Sequence, residues 1–439
     1  LNKKMVSILL VSLTLLLAAC SSKSGSNEPG TAAPGQNQAA DGKPQNVELR
    51  ATWWGGQERH DATLKVIDLF EKKYPNIKIE AEYSGLDGYF DKLSTQFAAG
   101  NAPDIIQYGG NLNDYVGQGV VLDLNPFVGK ELDLSKHDQS MVDAATMDGK
   151  FYGVTLGSNA YGILLNKTLF EQANVPLPGD TWTYQEFADT AAKLTKALGN
   201  VYGTEDFQQN AFSIYLEQRG KSEYVDGKAG FDVQDAKNWF QMWADMRKSG
   251  GIVPPEIQAA ASTTPEQSML IKREVAMQLI PSNQLGAYRN ATEDELVMHI
   301  YPYDNGKNGI ALRPSQFMAG YAKTEHPKEV AMFLDFMVND PEATAILGND
   351  RGAPVNSDVR ENLIKSANET DQAIFSYIDE VSKTSDAPYR PNPPGFNENQ
   401  ALYQKLSEKV AFGQETVDKA AEEYYAELQK IIDKMNAAS

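Results

Sequence analysis

From residue 47 onward, apolar positions switch back and forth between strand and helix periods. Val47 to Trp53 is a mostly apolar run of strand length. Leu64, Ile67 and Phe70 then recur on one face from Asp61 to Tyr74, and Pro75 ends that helix. Ile77, Ile79, Ala81 and Tyr83 alternate with polar residues, the period of a half-buried strand. Phe90, Leu93 and Phe97 mark a second helix, stopped at Gly100, and Pro103 to Tyr108 reads as a short buried strand. Strand, helix, strand, helix, strand in sixty or so residues requires crossover connections, hence a mainly parallel sheet.

A second α/β run follows. Ala160 to Leu165 is a strand with a short helix from Asn166. Thr183 and Glu186 have capping-box spacing for a helix reaching Lys196. Asp232 caps a helix carrying Trp239, Trp243 and Met246, which ends near Gly250 and Gly251. Val275 to Ile280 and Val297 to Tyr303 read as strands, as does Gln316 to Ala322 ahead of a helix with Val330, Phe333, Leu334 and Met337. The tail from Asn397 is mostly amphipathic helix. Two α/β lobes are the economical architecture.

The segment ahead of this body has a different character. Lys3 and Lys4 precede an apolar stretch, Met5 to Leu17, of secretory length and too short to span a bilayer. It ends in Leu17-Ala18-Ala19-Cys20, which resembles the lipobox of bacterial lipoproteins and implies cleavage before Cys20 with lipid on its sulfur. Cys20 is the sole cysteine, so an exported chain has no internal disulfide for it to make. Residues 21–45 are Ser, Gly, Asn, Pro, Ala and Gln with almost no apolar content, the composition of a disordered tether. As a flexible coil it spans roughly 25–30 Å.

Composition narrows the partners. With 439 residues and 41% hydrophobic content the chain can bury a large core. A net charge of -19 argues against nucleic acid or anionic membrane as ligand. No Gly-x-Ser-x-Gly elbow, His-Glu-x-x-His or Walker loop occurs, and His60, His137, His299 and His326 are scattered without ligand spacing. The expectation is a binding protein rather than an enzyme, with no cofactor and no metal. A secreted glycoside-active enzyme needs two carboxylates across a cleft, which 59 Asp and Glu leave open.

Six blocks together resemble the family 1 extracellular solute-binding proteins, the maltose-binding-protein-like group. They are Phe70 to Ile79, Gln96 to Ile105, Tyr161 to Phe170, Thr181 to Phe187, His326 to Ala343, and Arg351 to Asn356. The resemblance implies an α/β, two-lobed periplasmic-binding-protein-like fold (type II) with ligand held in a cleft between lobes joined by crossing strands. On that basis lobe 1 comprises 46–155 and 316–357, and lobe 2 comprises 156–315 and 358–439. The chain would cross near Gly153 to Ser158, near Leu312 to Gln316, and shortly after Asn356. The resemblance also implies a lipid-anchored, monomeric receptor outside a Gram-positive cell, feeding an ABC permease. The ligand class it implies is a sugar or oligosaccharide; a peptide-binding or sensing role is the alternative.

Site candidates follow from loop position and sugar chemistry, in which aromatic faces meet pyranose C–H faces and amides, carboxylates or Arg meet hydroxyls. Trp53 and Trp54 end the first strand, with Gln57 and Arg59 in the turn behind Gly55 and Gly56. Successive strand residues point opposite ways, so one Trp is expected to face the cleft. Asp87 and Tyr89 follow the second strand and Tyr108 ends the third. Asn159, Gln316 and Phe317 border crossing strands, and Asn283 starts a helix behind a strand. Tyr389, Arg390 and Phe396 flank the Pro-rich loop Pro388 to Gly395. A narrower resemblance, Trp53 to Asp61, is to a Gram-positive subgroup associated with pectin-derived oligosaccharides; it would make Arg59 and Arg390 partners for a uronate carboxylate. A neutral oligosaccharide fits the same aromatics.

Overall fold

The computed structural model describes residues 46–438 apart from 263, 305, 393 and 394. The signal segment 1–20 with Cys20, and the linker 21–45, lie outside the described residues.

The first sheet forms in the predicted order: β1 (Val47–Trp54), α1 (Gln57–Lys73), β2 (Ile77–Ser84), α2 (Tyr89–Ala98) and β3 (Ile105–Tyr108). Helix α1 starts ahead of Asp61, directly behind Gly55 and Gly56, because its first turn is polar and leaves no apolar mark. Glu58 in that turn and Lys72 and Lys73 in the last suit the helix dipole. Strands β2, β1 and β3 run parallel, with α1 and α2 as the crossovers.

After β4 (Gly153–Thr155) and β5 (Ser158–Asn159) the chain enters β6 (Tyr161–Asn166). There follow α3 (Tyr184–Leu198), β7 (Tyr202–Thr204), α4 (Gln208–Glu217) and α5 (Val233–Lys248). The predicted capping box of Thr183 with Glu186 forms, and the predicted cap Asp232 makes a second box with Asp235. Next come β8 (Val275–Pro281) and β9 (Leu296–His299). The sequence carries this last strand on to Tyr303. The chain instead leaves the sheet after His299, because the Trp182 Nε1 donates to the Ile300 carbonyl at 3.0 Å and Tyr303 N donates to the Trp182 carbonyl at 2.9 Å. Then β10 (Arg313–Pro314) and β11 (Phe317–Gly320) return to the first sheet, and α6 (Pro327–Asn339) packs on it. The chain closes with α7 (Ser357–Ile364), α8 (Glu369–Thr384), α9 (Phe396–Ala411) and α10 (Val417–Ala438).

Two sheets give two lobes, ordered β2-β1-β3-β11-β4 and β9-β6-β8-β7. Each has its own core. Trp53, Phe70, Ile106, Tyr108 and Phe333 lie in the first; Ile163, Phe187, Trp239, Trp243 and Tyr403 lie in the second. Neither sheet is purely parallel. Strand β11 is antiparallel to β3 and β4, and β6 is antiparallel to β8 and β9. The cause is the crossing: β11 and β6 each enter their sheet from the junction between lobes, opposite to the strands that run toward it.

At that junction Ser158 and Ala353 exchange backbone hydrogen bonds of 2.7 and 2.9 Å, and β5 pairs with β10. A Cβ on Gly157 would sit 2.1 Å from the Arg351 carbonyl oxygen, so only glycine admits this close approach. Ala353 and Val355 already pack on the second core. Arg360, 1% exposed, fastens this segment: it pairs in a bidentate fork with Asp138 at 2.7 and 2.9 Å and donates to the Pro354 carbonyl at 2.6 Å.

Candidate functional site

A cavity of about 370 Å³ opens in the second lobe beside the crossing strands. Helix α4 presents Gln209, Asn210, Ser213 and Glu217 to it, and the segment leading into the short strand Tyr224–Val225 adds Glu223 and Tyr224. Tyr161 stands at the first position of β6, held there because the Tyr377 hydroxyl donates to its carbonyl at 2.5 Å. Arg313 of β10, the loop with Tyr389 and Arg390, and Phe396 at the start of α9 complete the lining. Aromatic faces thus alternate with amide, hydroxyl and charged groups around one hollow.

The charged groups are held in place. Glu223 is buried and accepts from the Gln209 amide at 2.6 Å, from the Asn399 amide at 2.6 Å and from the Ser213 hydroxyl. Burial pushes its carboxyl above the ordinary range, and those three donors pull against that. The Arg390 Nε donates to Glu217 Oε1 at 2.9 Å. The Arg313 guanidinium lies 5.9 Å from the Tyr161 ring centroid and 5.8 Å from that of Tyr389. The Gln209 carbonyl oxygen is buried without a hydrogen-bond partner.

Tyr389, Arg390 and Phe396 are the sequence candidates that the structure brings together here. Asn159 and Gln316 sit at the crossing strands, each with a buried side-chain oxygen that lacks a donor. Phe317 is buried beside Tyr108 in the first sheet. Asn283 is exposed in a 3-10 turn, Ser282–Gln284, that follows β8 and runs directly into a short helix, Leu285–Asn290.

The remaining candidates line the carboxyl ends of the first sheet. Trp53 is completely buried: its Nε1 meets His60 Nδ1 at 3.1 Å and its ring stacks on Tyr83 at 5.2 Å. Trp54 retains 9% exposure against Tyr89 and Phe90. The expectation that one of the pair faces the cleft met a strand covered on both sides, Trp53 by α1 and Trp54 by α2. Tyr89 and Tyr108 are likewise buried; Tyr89 donates its hydroxyl to the Gln107 carbonyl at 3.0 Å. Gln57 and Asp87 are exposed, and Gln57 bonds Asp61 at 2.8 Å. Arg59 is tied to Asp350 at 2.6 Å. Tyr83, 45% exposed at the end of β2, is the aromatic surface this lobe offers.

Sequence reasoning did not single out Tyr161, Gln209, Asn210, Ser213, Glu217, Glu223, Tyr224 or Arg313 as site residues. Helix α4, which carries half of them, was invisible because six of its ten residues are buried, so no amphipathic stripe stands out.

Known proteins share this fold. An extracellular solute-binding protein family 1 structure from Alicyclobacillus acidocaldarius is 28% identical with a TM-score of 0.81, covering 89% of this chain and all of that one. A periplasmic oligogalacturonide-binding protein from Yersinia enterocolitica gives 24% identity and a TM-score of 0.74, again over 89% of this chain and all of the other. An arabinooligosaccharide-binding protein from Bacillus subtilis is 24% identical over 56% of this chain and 54% of its own length. No helix among the described residues is long and apolar enough to cross a membrane. Residues 65–374 match the family model described as bacterial extracellular solute-binding protein, and the chain belongs to that family.

Proposed function

We propose that this protein is the substrate-capturing receptor of an ABC importer and that it closes its two lobes on an oligosaccharide. The observation that carries this reading is the lining of the second-lobe cavity. Tyr161, Tyr224, Tyr389 and Phe396 offer ring faces to pyranose C–H surfaces, and Asn210, Ser213, Glu217 and Arg390 stand between them for hydroxyls. Its place beside the crossing strands fits a ligand whose other side is met by the first lobe on closure. The names of the arabinooligosaccharide- and oligogalacturonide-binding relatives support the same ligand class.

The lobes so defined are 46–155 with 316 to about 350, and 156–315 with the remainder, the third boundary being drawn from the packing of Ala353 and Val355. The receptor acts as a monomer, and capture and release need no catalytic group or cofactor. Cys20 carries lipid on the outer face of the cell membrane and residues 21–45 form the tether, so the body reaches a permease in the same membrane. Replacing Cys20 by Ser should release the protein from the membrane fraction; equal retention of both forms would refute the anchor.

The ligand class is tested by thermal shift against saccharide and short-peptide panels. A ligand at about 100 times its Kd stabilises the folded state by roughly 2.7 kcal/mol, a clear rise in Tm. The reading expects a shift with one saccharide series, abolished by Tyr389→Ala together with Phe396→Ala. A shift with peptides alone would reject it.

A further inference from the structure

We infer that the cleft selects an uncharged saccharide and that Glu217 sets this selectivity by neutralising Arg390. The inference rests on the saccharide reading above and narrows it. Recognition of a uronate requires an unmatched cation at the ring carboxylate, usually a guanidinium in bidentate geometry. Among the described residues, the cavity is lined by two arginines, two glutamates and no lysine. Arg390 already meets the Glu217 carboxylate at 2.9 Å. The Arg313 guanidinium lies 5.9 and 5.8 Å from the ring centroids of Tyr161 and Tyr389 and reaches toward Asn392 Oδ1 at 3.4 Å. In the first lobe Arg59 is engaged at 2.6 Å by Asp350, its Nη2 also donating to the Asp350 carbonyl at 3.1 Å. Two of these three arginines thus have their charge met by a carboxylate of the protein, Arg390 through its Nε alone.

The charge of the wall points the same way. A uronate would also enter a wall containing Glu217 and Glu223 on a chain of net charge -19.

The test is calorimetric titration of the intact protein at low ionic strength. The probes are neutral arabino-, xylo- and gluco-oligosaccharides, and digalacturonide as free acid and as methyl ester. The tightest ligand is expected to be uncharged, with the free acid at least tenfold weaker than its ester. Glu217→Gln, which unmasks Arg390, should tighten the free acid at least tenfold, and 0.5 M salt should erase that gain. A gain of binding cannot arise from misfolding. Tighter binding of the free acid by the wild type would overturn the inference and leave the saccharide reading standing. No gain in Glu217→Gln would remove Glu217 from the selectivity. Binding of peptides with no saccharide bound, or of no probe at all, would count against both.

Discussion

Replacing Arg360 by methionine keeps the buried stem and removes the charge, so it isolates the ionic network at the junction of the lobes. Arg360 bonds Asp138 through both terminal nitrogens, Asp379 through Nε at 3.0 Å, and the Pro354 carbonyl. Asp379 is 15% exposed and also neighbours Lys383 at 3.4 Å, so it rehydrates at small cost. Asp138 cannot: its side chain is 5% exposed and would keep the Ser382 hydroxyl, at 2.7 Å, as its side-chain partner. Stranding a buried carboxylate in this way costs about 3–5 kcal/mol. Denaturant unfolding followed by fluorescence should register that loss as a lowered midpoint. Adding Asp138→Asn in the same chain removes the stranded charge and should recover part of the loss. A loss below about 1 kcal/mol in Arg360→Met, or no recovery in the double variant, would refute the argument that the unpaired anion is what costs.

Three further outcomes follow from the same coordinates. Gly157→Ala places a Cβ at 2.1 Å from the Arg351 carbonyl oxygen, so the crossing strands must part; stability should fall by about 1–3 kcal/mol, measured by denaturant unfolding, with ligand affinity falling too. Glu205 is pushed up to about 8, first by burial and then by the adjacent Asp206 carboxylate. Its folded-state value lies above the unfolded one, so its contribution is intact below the ordinary carboxylate range and is lost as pH rises toward 8, on the order of 5 kcal/mol at most. Glu205→Gln should therefore gain stability relative to wild type from pH 5 to pH 8, and a pH-independent difference in Tm would contradict the assignment. Tyr389→Ala removes one platform from the cavity and should weaken saccharide binding at least tenfold by calorimetry, with a cooperative thermal transition of the unliganded protein retained at a somewhat lower Tm because Tyr389 also packs on the second core.

The fold was more legible than the site, for physical reasons. Strand and helix periods located β1 to β3 and their crossovers, and Thr183 with Glu186, and Asp232, announced two helix starts through caps that the structure realises. Strand direction was not legible, because antiparallel β11 and β6 follow from where the chain re-enters each sheet rather than from any residue in them. Loop position singled out Tyr389, Arg390 and Phe396, which the structure brings to one cavity. It misjudged Trp53, because alternation marks one residue as outward and helices cover both faces of this strand. Glu223 and Tyr224 left no mark, since their role comes from α4, α9 and β10 converging from distant parts of the chain.

Capture by closure of two lobes on a sugar is tested most directly by the distance between them. A pair of spin labels, one on exposed Leu86 of the first lobe and one on exposed Val225 of the second, reports that distance in the presence and absence of the saccharide that raises Tm. Closure predicts a shorter, narrower distance distribution at saturating sugar and no change with a non-binding sugar. Saturation by sugar with an unchanged distance would contradict capture by closure.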